Sequence, residues 1–289
     1  MVALAACGDS ADASGSGGAG STGDATASGG QTATTSAAGG ASTTNGSGGG
    51  ATFVLPPPNA GLDYQLGGAY DPPPGVDIVT RDRNAPSAGA LYDICYINGY
   101  QAQQEEDSFW LNDHPDLVLR DGNGDPIIDP DWDEMLLDIT TPEKRAALAD
   151  IVGGWIDGCA ASEYEGVEID NLDTYSRSSG LITEDDAVLF MTLLSARAHA
   201  AGLAIAQKNA AEIVGRRAEM GTDFAVAEEC NVYDECDVYT GAYGDAVLLI
   251  EYSHVPFETG CANFPQLSIV MRDLDLVTPS DPGYSYDGC

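Results

Sequence analysis

The stretch GVEIDNLDTY contains three closely spaced carboxylates, Glu168, Asp170 and Asp173. Two more, Glu228 and Glu229, follow an apolar run in DFAVAEEC. Two carboxylates that face each other across a cleft can cleave a glycosidic bond: one protonates the leaving oxygen, and the other acts as nucleophile or activates water. Because this chain is rich in carboxylates, their presence alone is weak evidence for that reaction. Strand alternation also leaves the choice between Glu228 and Glu229 open.

Eight short apolar runs that end in polar residues recur along the chain, and helix-like stretches separate several of them. They cover residues 62–68, 75–82, 92–99, 166–171, 202–209, 223–230, 246–253 and 267–273. One helix is predicted to begin at Thr141-Pro142, and another at Thr183, with Asp186 in the capping-box position and Gly202 at its end. This alternation predicts parallel βα units, and eight of them predict an α/β fold, a (β/α)8 TIM-like barrel. The link between the second and third runs is too short for a full helix.

Active sites in such barrels lie at the C-terminal ends of the strands. Because side chains alternate along a strand, Val167 and Ile169 are expected to face the helices, and Glu168 and Asp170 the barrel axis. Asp170 then lies at the mouth and Glu168 one layer deeper. The other strand ends are expected to bring further polar residues to the same rim: Asp82, Asn98, Lys208, Glu228, Glu251, Tyr252 and Arg272.

The N-terminal part of the chain predicts export. Residues 8–52 are almost entirely Gly, Ser, Thr and Ala, a composition typical of a disordered linker, so the globular domain is expected at 53–289. Residues 1–7 end in Leu-Ala-Ala-Cys and resemble the lipobox of bacterial lipoproteins, in which the cysteine, here Cys7, is lipidated. Only six residues precede Cys7, fewer than a signal peptide needs, so we expect the true start upstream. A chance match in an alanine-rich N-terminus is the alternative.

These features predict an extracytoplasmic protein that is secreted or lipid-anchored to a bacterial membrane, with Cys7 as its only membrane contact. The net charge of −35 excludes nucleic acid as a partner and favours cations, including a positively charged polymer. An acidic surface kept for solubility is the other explanation of that charge. We expect a monomer.

The other six cysteines predict disulfides in an exported chain, although spacing alone does not choose their pairing. Zinc is not expected, because there is no CxxC motif and the three histidines are widely scattered. The run from Asp121 to Asp125 is similar to the start of a calcium loop, but Pro126 replaces the required glycine, which favours a hairpin turn. No metal or cofactor is therefore expected.

Four stretches, in their order and spacing, resemble the endo-α-1,4-polygalactosaminidase family, glycoside hydrolase family 114. They are GVEIDNLDTY, AHAAGLAIAQKNAAEI, DFAVAEECNVYDEC and IEYS. The resemblance spans roughly residues 62–289 and implies a TIM-like barrel that cleaves α-1,4-linked galactosamine polymers with two carboxylates. The family's catalytic aspartate falls on Asp170 and its glutamate on Glu228. Ala227 stands where the family commonly has asparagine, so a side-chain hydrogen-bond donor is missing there.

The resemblance also implies disulfides between Cys95 and Cys159, Cys230 and Cys236, and Cys261 and Cys289. Between the two carboxylates, we assign the role of nucleophile to Asp170 and that of acid/base to Glu228. Substrate contacts are expected from Tyr64, Tyr96, Glu168, Asn171, Asp173, Lys208, Asn209, Glu229, Tyr233, Glu251, Tyr252 and Arg272. Lys208 would bind a sugar hydroxyl, keep Asp170 ionised, or only neutralise the surrounding carboxylates.

The expected substrate is a cationic or partly acetylated amino-sugar polysaccharide, cut internally and gathered by long-range attraction that salt weakens. Residues 101–138 are too long for an ordinary connection and are expected to form one wall of the substrate groove. Two alternatives remain: a noncatalytic polysaccharide-binding lipoprotein with the same fold, and a barrel glycosidase for another, neutral α-galactoside. The activity of the latter would be insensitive to ionic strength.

Overall fold

The computed structural model describes residues 52–289. The predicted lipidation site at Cys7 and residues 8–51 of the predicted linker lie outside this part of the chain, and the domain boundary at residue 53 stays a prediction. Within residues 52–289, no helix combines the length and the apolar character needed to cross a membrane.

All eight predicted runs form strands, which confirms the α/β barrel. In chain order, the strands are β1 Gly61–Gln65, β2 Val76–Asp82, β3 Tyr92–Asn98, β4 Gln101–Ala102, β5 Ile128–Asp129, β6 Glu134–Leu136, β7 Gly166–Asp170, β8 Ala204–Lys208, β9 Phe224–Glu228, β10 Val247–Glu251, β11 Ser268–Arg272 and β12 Tyr286–Gly288. The large sheet has the order β1-β2-β3-β7-β8-β9-β10-β11-β12, parallel as far as β11, with β12 antiparallel at its end. The fold is TIM-like because sequential parallel strands form a nearly closed barrel.

Five α-helices precede the later barrel strands. They are α1 Pro142–Ala161, α2 Glu184–Ala201, α3 Arg217–Met220, α4 Cys236–Tyr243 and α5 His254–Asn263. Shorter helical turns occupy Gln104–Glu106, Phe109–Asp113, Leu172–Arg177 and Ala211–Arg216. In the described part of the chain, no α-helix connects β1 to β2 or β2 to β3. The short link predicted between β2 and β3 is therefore confirmed.

Residues 101–138 do not form a bare loop. Strands β4, β5 and β6 pair as a small antiparallel sheet in the order β4-β6-β5. The run after Arg120 is a turn, since Asp121 accepts hydrogen bonds from the backbone of Asn123 and Asp125 through Oδ1, at 2.8 and 2.9 Å. Arg120 bridges to Pro126 across this turn, as expected for a hairpin. The small sheet begins three residues after β3, so it stands at the C-terminal rim of the barrel.

Side-chain alternation separates the interior of the barrel from the layer of helices. Ile94, Ala206 and Val226 belong to one buried cluster inside the barrel, whereas Val167 and Ile169 belong to a second that includes α1 and α2. A third cluster packs the outer faces of β9, β10 and β11 on α4 and α5. The predicted orientation of β7 is thus confirmed, and it leaves Glu168 pointing inward.

Side chains close the seam between β1 and β11. The Arg272 guanidinium donates from Nη1 to Asp63 Oδ1 at 3.0 Å and to the Tyr64 carbonyl, and both ionic groups are fully buried. Nearby, the Ala60 amide donates to Ser268 Oγ at 2.9 Å. A planar guanidinium with several donors suits this task, because from β11 it satisfies a buried carboxylate and a buried carbonyl of β1 at once.

The three disulfides implied by the family resemblance are confirmed: Cys95–Cys159, Cys230–Cys236 and Cys261–Cys289. The first joins β3 to α1, and the last joins α5 to the C-terminal residue. The middle pair closes a short loop directly after β9, where the second candidate carboxylate lies.

Both predicted helix starts are confirmed, and α2 has a complete capping box. The Thr183 hydroxyl accepts from the Asp186 amide at 3.2 Å, Asp186 Oδ2 accepts from the Thr183 amide at 3.1 Å, and Gly202 ends the helix with φ of 82°. Thr183→Ala is therefore expected to lower the free energy of unfolding by about 1 kcal/mol, and Thr183→Ser by much less. Urea unfolding of both variants measures this, and equal stability of the two would contradict it.

Candidate active site

The site is organised around one buried ammonium group. Lys208 ends β8 and is 3% exposed. Its Nζ lies 3.3 Å from Glu168 Oε1, 3.4 Å from Asp170 Oδ1 and 3.0 Å from Glu228 Oε2. Burial by itself would lower the pKa of Lys208, but the three carboxylates outweigh it and raise that pKa well above its usual value. Lys208 is therefore protonated and holds carboxylates from β7 and β9 together.

Asp170, at the end of β7, is held as an ionised carboxylate. Its Oδ2 accepts from the Tyr96 hydroxyl at 2.6 Å, and its Oδ1 accepts from the Asn171 amide at 2.8 Å. Burial alone would raise the pKa of Asp170, but the Lys208 ammonium and these two hydrogen bonds together lower it. Such a group is an available nucleophile at neutral pH.

Glu228 lies at the end of β9, with hydrogen bonds to both of its carboxylate oxygens. Oε2 accepts from Asn209 Nδ2 at 3.0 Å, and Oε1 accepts from the Tyr252 hydroxyl. Asn209 also fixes the backbone, because its Oδ1 accepts from the Glu228 amide at 2.9 Å. Ala227 is buried among the outer residues of β9 and β10, so the amide donor expected from this position comes instead from Asn209 after the neighbouring strand.

Glu168 lies one layer deeper than Asp170, as predicted, and is fully buried. Its Oε1 accepts from the Tyr64 hydroxyl at 2.5 Å, and its Oε2 has no hydrogen-bond partner among the described residues. Burial raises the pKa of Glu168 to about 7, against the opposing effects of Lys208 and the Tyr64 hydroxyl. The mouth therefore holds two carboxylates at the surface of the pocket and a third beneath them.

The raised pKa of Glu168 predicts a pH-dependent stability. Between pH 4.5 and about 7, the folded chain binds a proton on Glu168 that the unfolded chain has released. This bound proton stabilises the folded chain by about 3 kcal/mol. The contribution is fully present below pH 4.5 and is lost as the pH rises through about 7. Glu168→Gln should reduce the stability loss between pH 5 and pH 7.5 by about that amount. Urea unfolding at both pH values measures it, and an unchanged loss in the variant would contradict it.

Several other predicted site residues are close to this cluster. Tyr64, Tyr96, Tyr252 and Asn209 donate directly to its carboxylates, and Asn171 does so through its backbone amide. Asp173 instead forms an ion pair with Arg177, at 2.7 Å. Glu229 is half-buried, and burial followed by the charge of Glu228 raises its pKa. Tyr233 is 53% exposed on the loop that the Cys230–Cys236 disulfide closes.

Two predicted residues are placed apart from the cluster. Glu251 points to the outer side of β10, where its Oε1 accepts from the Asn231 amide at 3.1 Å and from Asn231 Nδ2 at 2.8 Å. Arg272 faces inward but is fully used in closing the seam with Asp63. The reason differs in each case: Glu251 follows Ile250, an inward residue, and so has the outward parity, whereas Arg272 has the inward parity and a structural partner.

Glu134, on β6, extends the site beyond the residues predicted from the sequence. Its Oε2 accepts from Asn98 Nδ2 at 2.8 Å, and Asn98 Oδ1 in turn accepts from Asn171 Nδ2 at 2.9 Å. Burial raises the pKa of Glu134 to about 7, with Asp170 among the acidic groups that add to the shift and Asn98 opposing it. Asn98 was detectable as a polar strand end, but Glu134 carries no local signal. Glu134 lies within residues 101–138, and this segment reaches the rim of the barrel.

The two tryptophans of residues 101–138 have different environments. Trp110 is fully buried in the cluster that includes α1 and α2, whereas Trp132 is 60% exposed on the turn between β5 and β6. Only the second can therefore offer its ring to a ligand.

The model of the glycoside-hydrolase family GH114 matches residues 42–289. Among solved structures, Ega3 from Aspergillus fumigatus, determined in complex with galactosamine, is 22% identical, with a TM-score of 0.66 over 81% of this chain and 97% of that one. The glycoside hydrolase domain of PelA from Pseudomonas aeruginosa is 12% identical, with a TM-score of 0.50 over 77% and 97%. These two similarities show a shared fold. No curated protein sequence matches significantly. The family match covers most of the chain, which is therefore a glycosidase that belongs to glycoside hydrolase family GH114.

Proposed function

We propose that this glycosidase cleaves α-1,4-linked galactosamine-containing polysaccharide internally, with Asp170 and Glu228 as its catalytic carboxylates. One observation carries the proposal: a single ammonium, Lys208 Nζ, binds both carboxylates at the mouth of the barrel, at 3.4 and 3.0 Å. The two groups lie at the ends of β7 and β9, where a TIM-like barrel presents its reacting groups.

The geometry supports the assignment of Asp170 as nucleophile. Lys208 Nζ lies 3.4 Å from Asp170 Oδ1 and 3.0 Å from Glu228 Oε2, so the two carboxylates are close neighbours, as the nucleophile and the acid/base of a retaining enzyme must be. The lowered pKa of Asp170 keeps this carboxylate ionised for attack. The Lys208 ammonium is already in place to hold it so.

In the proposed first step, an Asp170 oxygen bonds to the anomeric carbon as the glycosidic C–O bond breaks, and Glu228 donates its proton to the leaving oxygen. In the second step, Glu228 removes a proton from water, the water oxygen bonds to the anomeric carbon, and the bond to Asp170 breaks. Tyr96 and Tyr252 each donate to one of these carboxylates and so fix its orientation through both steps.

The charge of the site supports an amino-sugar substrate. Glu168, Asp170 and Glu228 share only one cation within contact distance, Lys208, among the described residues. An ammonium group on the sugar would supply part of the missing positive charge. The net charge of −35 adds a long-range attraction for a cationic polymer, and the related Ega3 structure contains galactosamine.

The substrate class is tested by incubating the full chain with three α-1,4-linked polymers: a polymer of galactosamine, a polymer of N-acetylgalactosamine and a polymer of galactose. Release of reducing ends is measured from 20 to 500 mM salt. Cleavage of the de-N-acetylated polymer, slowing as salt increases, is the expected result. Salt-independent cleavage of the galactose polymer would instead favour the α-galactoside alternative. Binding without cleavage would favour the noncatalytic one.

We further propose that the protein acts outside the cytoplasm as a monomer, either secreted or anchored through a lipid on Cys7. The residues around Cys7 and the composition of residues 8–52 support this location. Fractionation of cells that express the chain behind a complete lipoprotein signal peptide, with Cys7 or with Cys7→Ser, tests the anchor. Membrane association of the parent alone is expected, and equal distribution of both would contradict a lipid on Cys7.

A further inference from the structure

We propose that Glu134 determines the acetylation preference of the site, by binding the C2 ammonium of a galactosamine unit in the barrel mouth. This inference rests on the proposed function and adds the residue that would bind the substrate's amino group. The preference for de-N-acetylated units would then come from one local contact rather than from overall charge alone.

A row of hydrogen bonds connects Glu134 to the reacting centre. Glu134 Oε2 accepts from Asn98 Nδ2 at 2.8 Å, and Asn98 Oδ1 accepts from Asn171 Nδ2 at 2.9 Å. The Asn171 amide donates to Asp170 Oδ1 at 2.8 Å. Two asparagines thus span the distance from Glu134 to Asp170, and Asn98 itself is 3% exposed. The position of the Glu134 carboxylate is therefore fixed relative to the proposed nucleophile.

Glu134 has a free oxygen and no cationic partner. Its side chain is half-buried, and within residues 52–289 no hydrogen bond or ion pair engages Oε1. The neighbouring acids differ, because Arg177 pairs with both Asp129 and Asp173, each at 2.7 Å. Glu134 therefore lacks a compensating positive charge, and burial, with the charge of Asp170 adding to it, raises its pKa. A ligand cation at Oε1 would remove the deficit.

The chemistry of the two possible sugars differs at this contact. An ammonium group on C2 can form a charge-assisted hydrogen bond to the carboxylate, which is stronger than a bond between neutral groups. An acetamide offers one neutral N–H and places a methyl group beside a carboxylate that still needs solvation. Glu134 would thus favour the de-N-acetylated sugar and disfavour the acetylated one.

Trp132, beside Glu134, would contact the sugar ring with a strength that does not depend on acetylation. It lies two residues before Glu134 and is 60% exposed, and its carbonyl oxygen accepts from Gln104 Nε2 at 3.0 Å. An exposed indole face can stack on a sugar ring whatever its C2 substituent. Trp132→Ala is therefore expected to weaken binding of acetylated and de-N-acetylated oligosaccharides by the same factor.

The test compares full-length parent, Glu134→Gln and Asp133→Asn on α-1,4-linked galactosamine oligosaccharides and on their N-acetylated forms. Asp133→Asn removes the same charge from the adjacent, exposed position, so it controls for overall electrostatics. Glutamine can still accept from Asn98, which preserves the fold of the rim. The measured quantity is the ratio of kcat/KM between the two substrates, with kcat and KM determined separately.

Glu134→Gln is expected to lower the preference for the de-N-acetylated oligosaccharide at least about tenfold, mainly through KM, because a charge-assisted hydrogen bond is lost. Asp133→Asn should change that preference less than about twofold. A ratio in Glu134→Gln equal to that of the parent or of Asp133→Asn would overturn the proposal. Unfolding midpoints of all three proteins verify that the comparison is made between folded chains.

Failure of the proposed function would be visible separately, because the parent would then release no reducing ends from either substrate. In that case, calorimetric titration of the same three proteins with galactosamine and with N-acetylgalactosamine still tests Glu134. Loss of galactosamine binding in Glu134→Gln alone would support the proposal. Equal galactosamine binding by all three proteins, or no binding by any of them, would overturn it.

Discussion

Asp170→Asn is expected to reduce kcat on a de-N-acetylated α-1,4-galactosamine polymer by at least about 10³-fold. The asparagine keeps the size of the side chain and can still accept from the Tyr96 hydroxyl, which donates to Oδ2 at 2.6 Å in the parent. It cannot form the bond to the anomeric carbon that the proposed first step requires. The loss should therefore appear for every substrate, whatever its leaving group.

Glu228→Gln should behave differently, because the missing group is the proton donor. We expect a loss of about 10² to 10⁴-fold on the polymer and a much smaller one in the first step on a p-nitrophenyl α-galactosaminide, whose leaving group does not need protonation. Asp234, an exposed carboxylate on the loop that follows β9, provides the matched control, and Asp234→Asn should retain parent activity. Kinetics of the three variants on both substrates measure these effects. Near-parent activity of Asp170→Asn would contradict the assigned roles.

Lys208→Met is expected to destabilise the fold by about 3 to 5 kcal/mol at pH 7. The ammonium is the shared partner of Glu168, Asp170 and Glu228, and all three carboxylates lose it at once. A buried ionised carboxylate without a partner either raises the free energy of the folded state or takes up a proton. Activity should be lost as well, because the pKa of Asp170 would rise.

A second variant separates electrostatics from a packing defect. Lys208→Met combined with Glu168→Gln removes one of the unpaired charges, so the double variant should recover part of the lost stability. The deficit of Lys208→Met should also shrink at pH 5, where the carboxylates can take up protons. Urea unfolding of the parent, single and double variants at pH 5 and 7 measures both effects. A Lys208→Met variant as stable as the parent would show that the ammonium does not hold the site together.

The parts of the site that lie on barrel strands were predictable, because the period of a strand is local information. Alternation in GVEIDN is enough to place Val167 outside and Glu168 inside, and the order of the parallel strands brings Lys208 next to Asp170. The same rule, applied strictly to LLIEYS, separates the outward Glu251 from the inward Tyr252. Predicting both as site residues overlooked that parity.

The remaining features depend on contacts between distant segments. Glu134 reaches the rim because β6 pairs with β4 and β5, and no local pattern in the sequence specifies that small sheet. Arg272 has the inward parity of a site residue. Its guanidinium instead binds Asp63, more than two hundred residues away, at the seam between β1 and β11. The family resemblance flagged Ala227 as a missing amide, and only the packing of adjacent strands shows Asn209 in that role.

The most direct test of the proposed function is the chain length of the products. The full-length parent is incubated with a long, de-N-acetylated α-1,4-galactosamine polymer, and mass spectrometry follows the oligosaccharides over time, with Asp170→Asn and Glu228→Gln in parallel. We predict a broad range of oligomers early in the parent reaction and an unchanged polymer with both variants. Early accumulation of monosaccharide alone would contradict internal cleavage. The same oligomers from Asp170→Asn would contradict the assignment of this carboxylate.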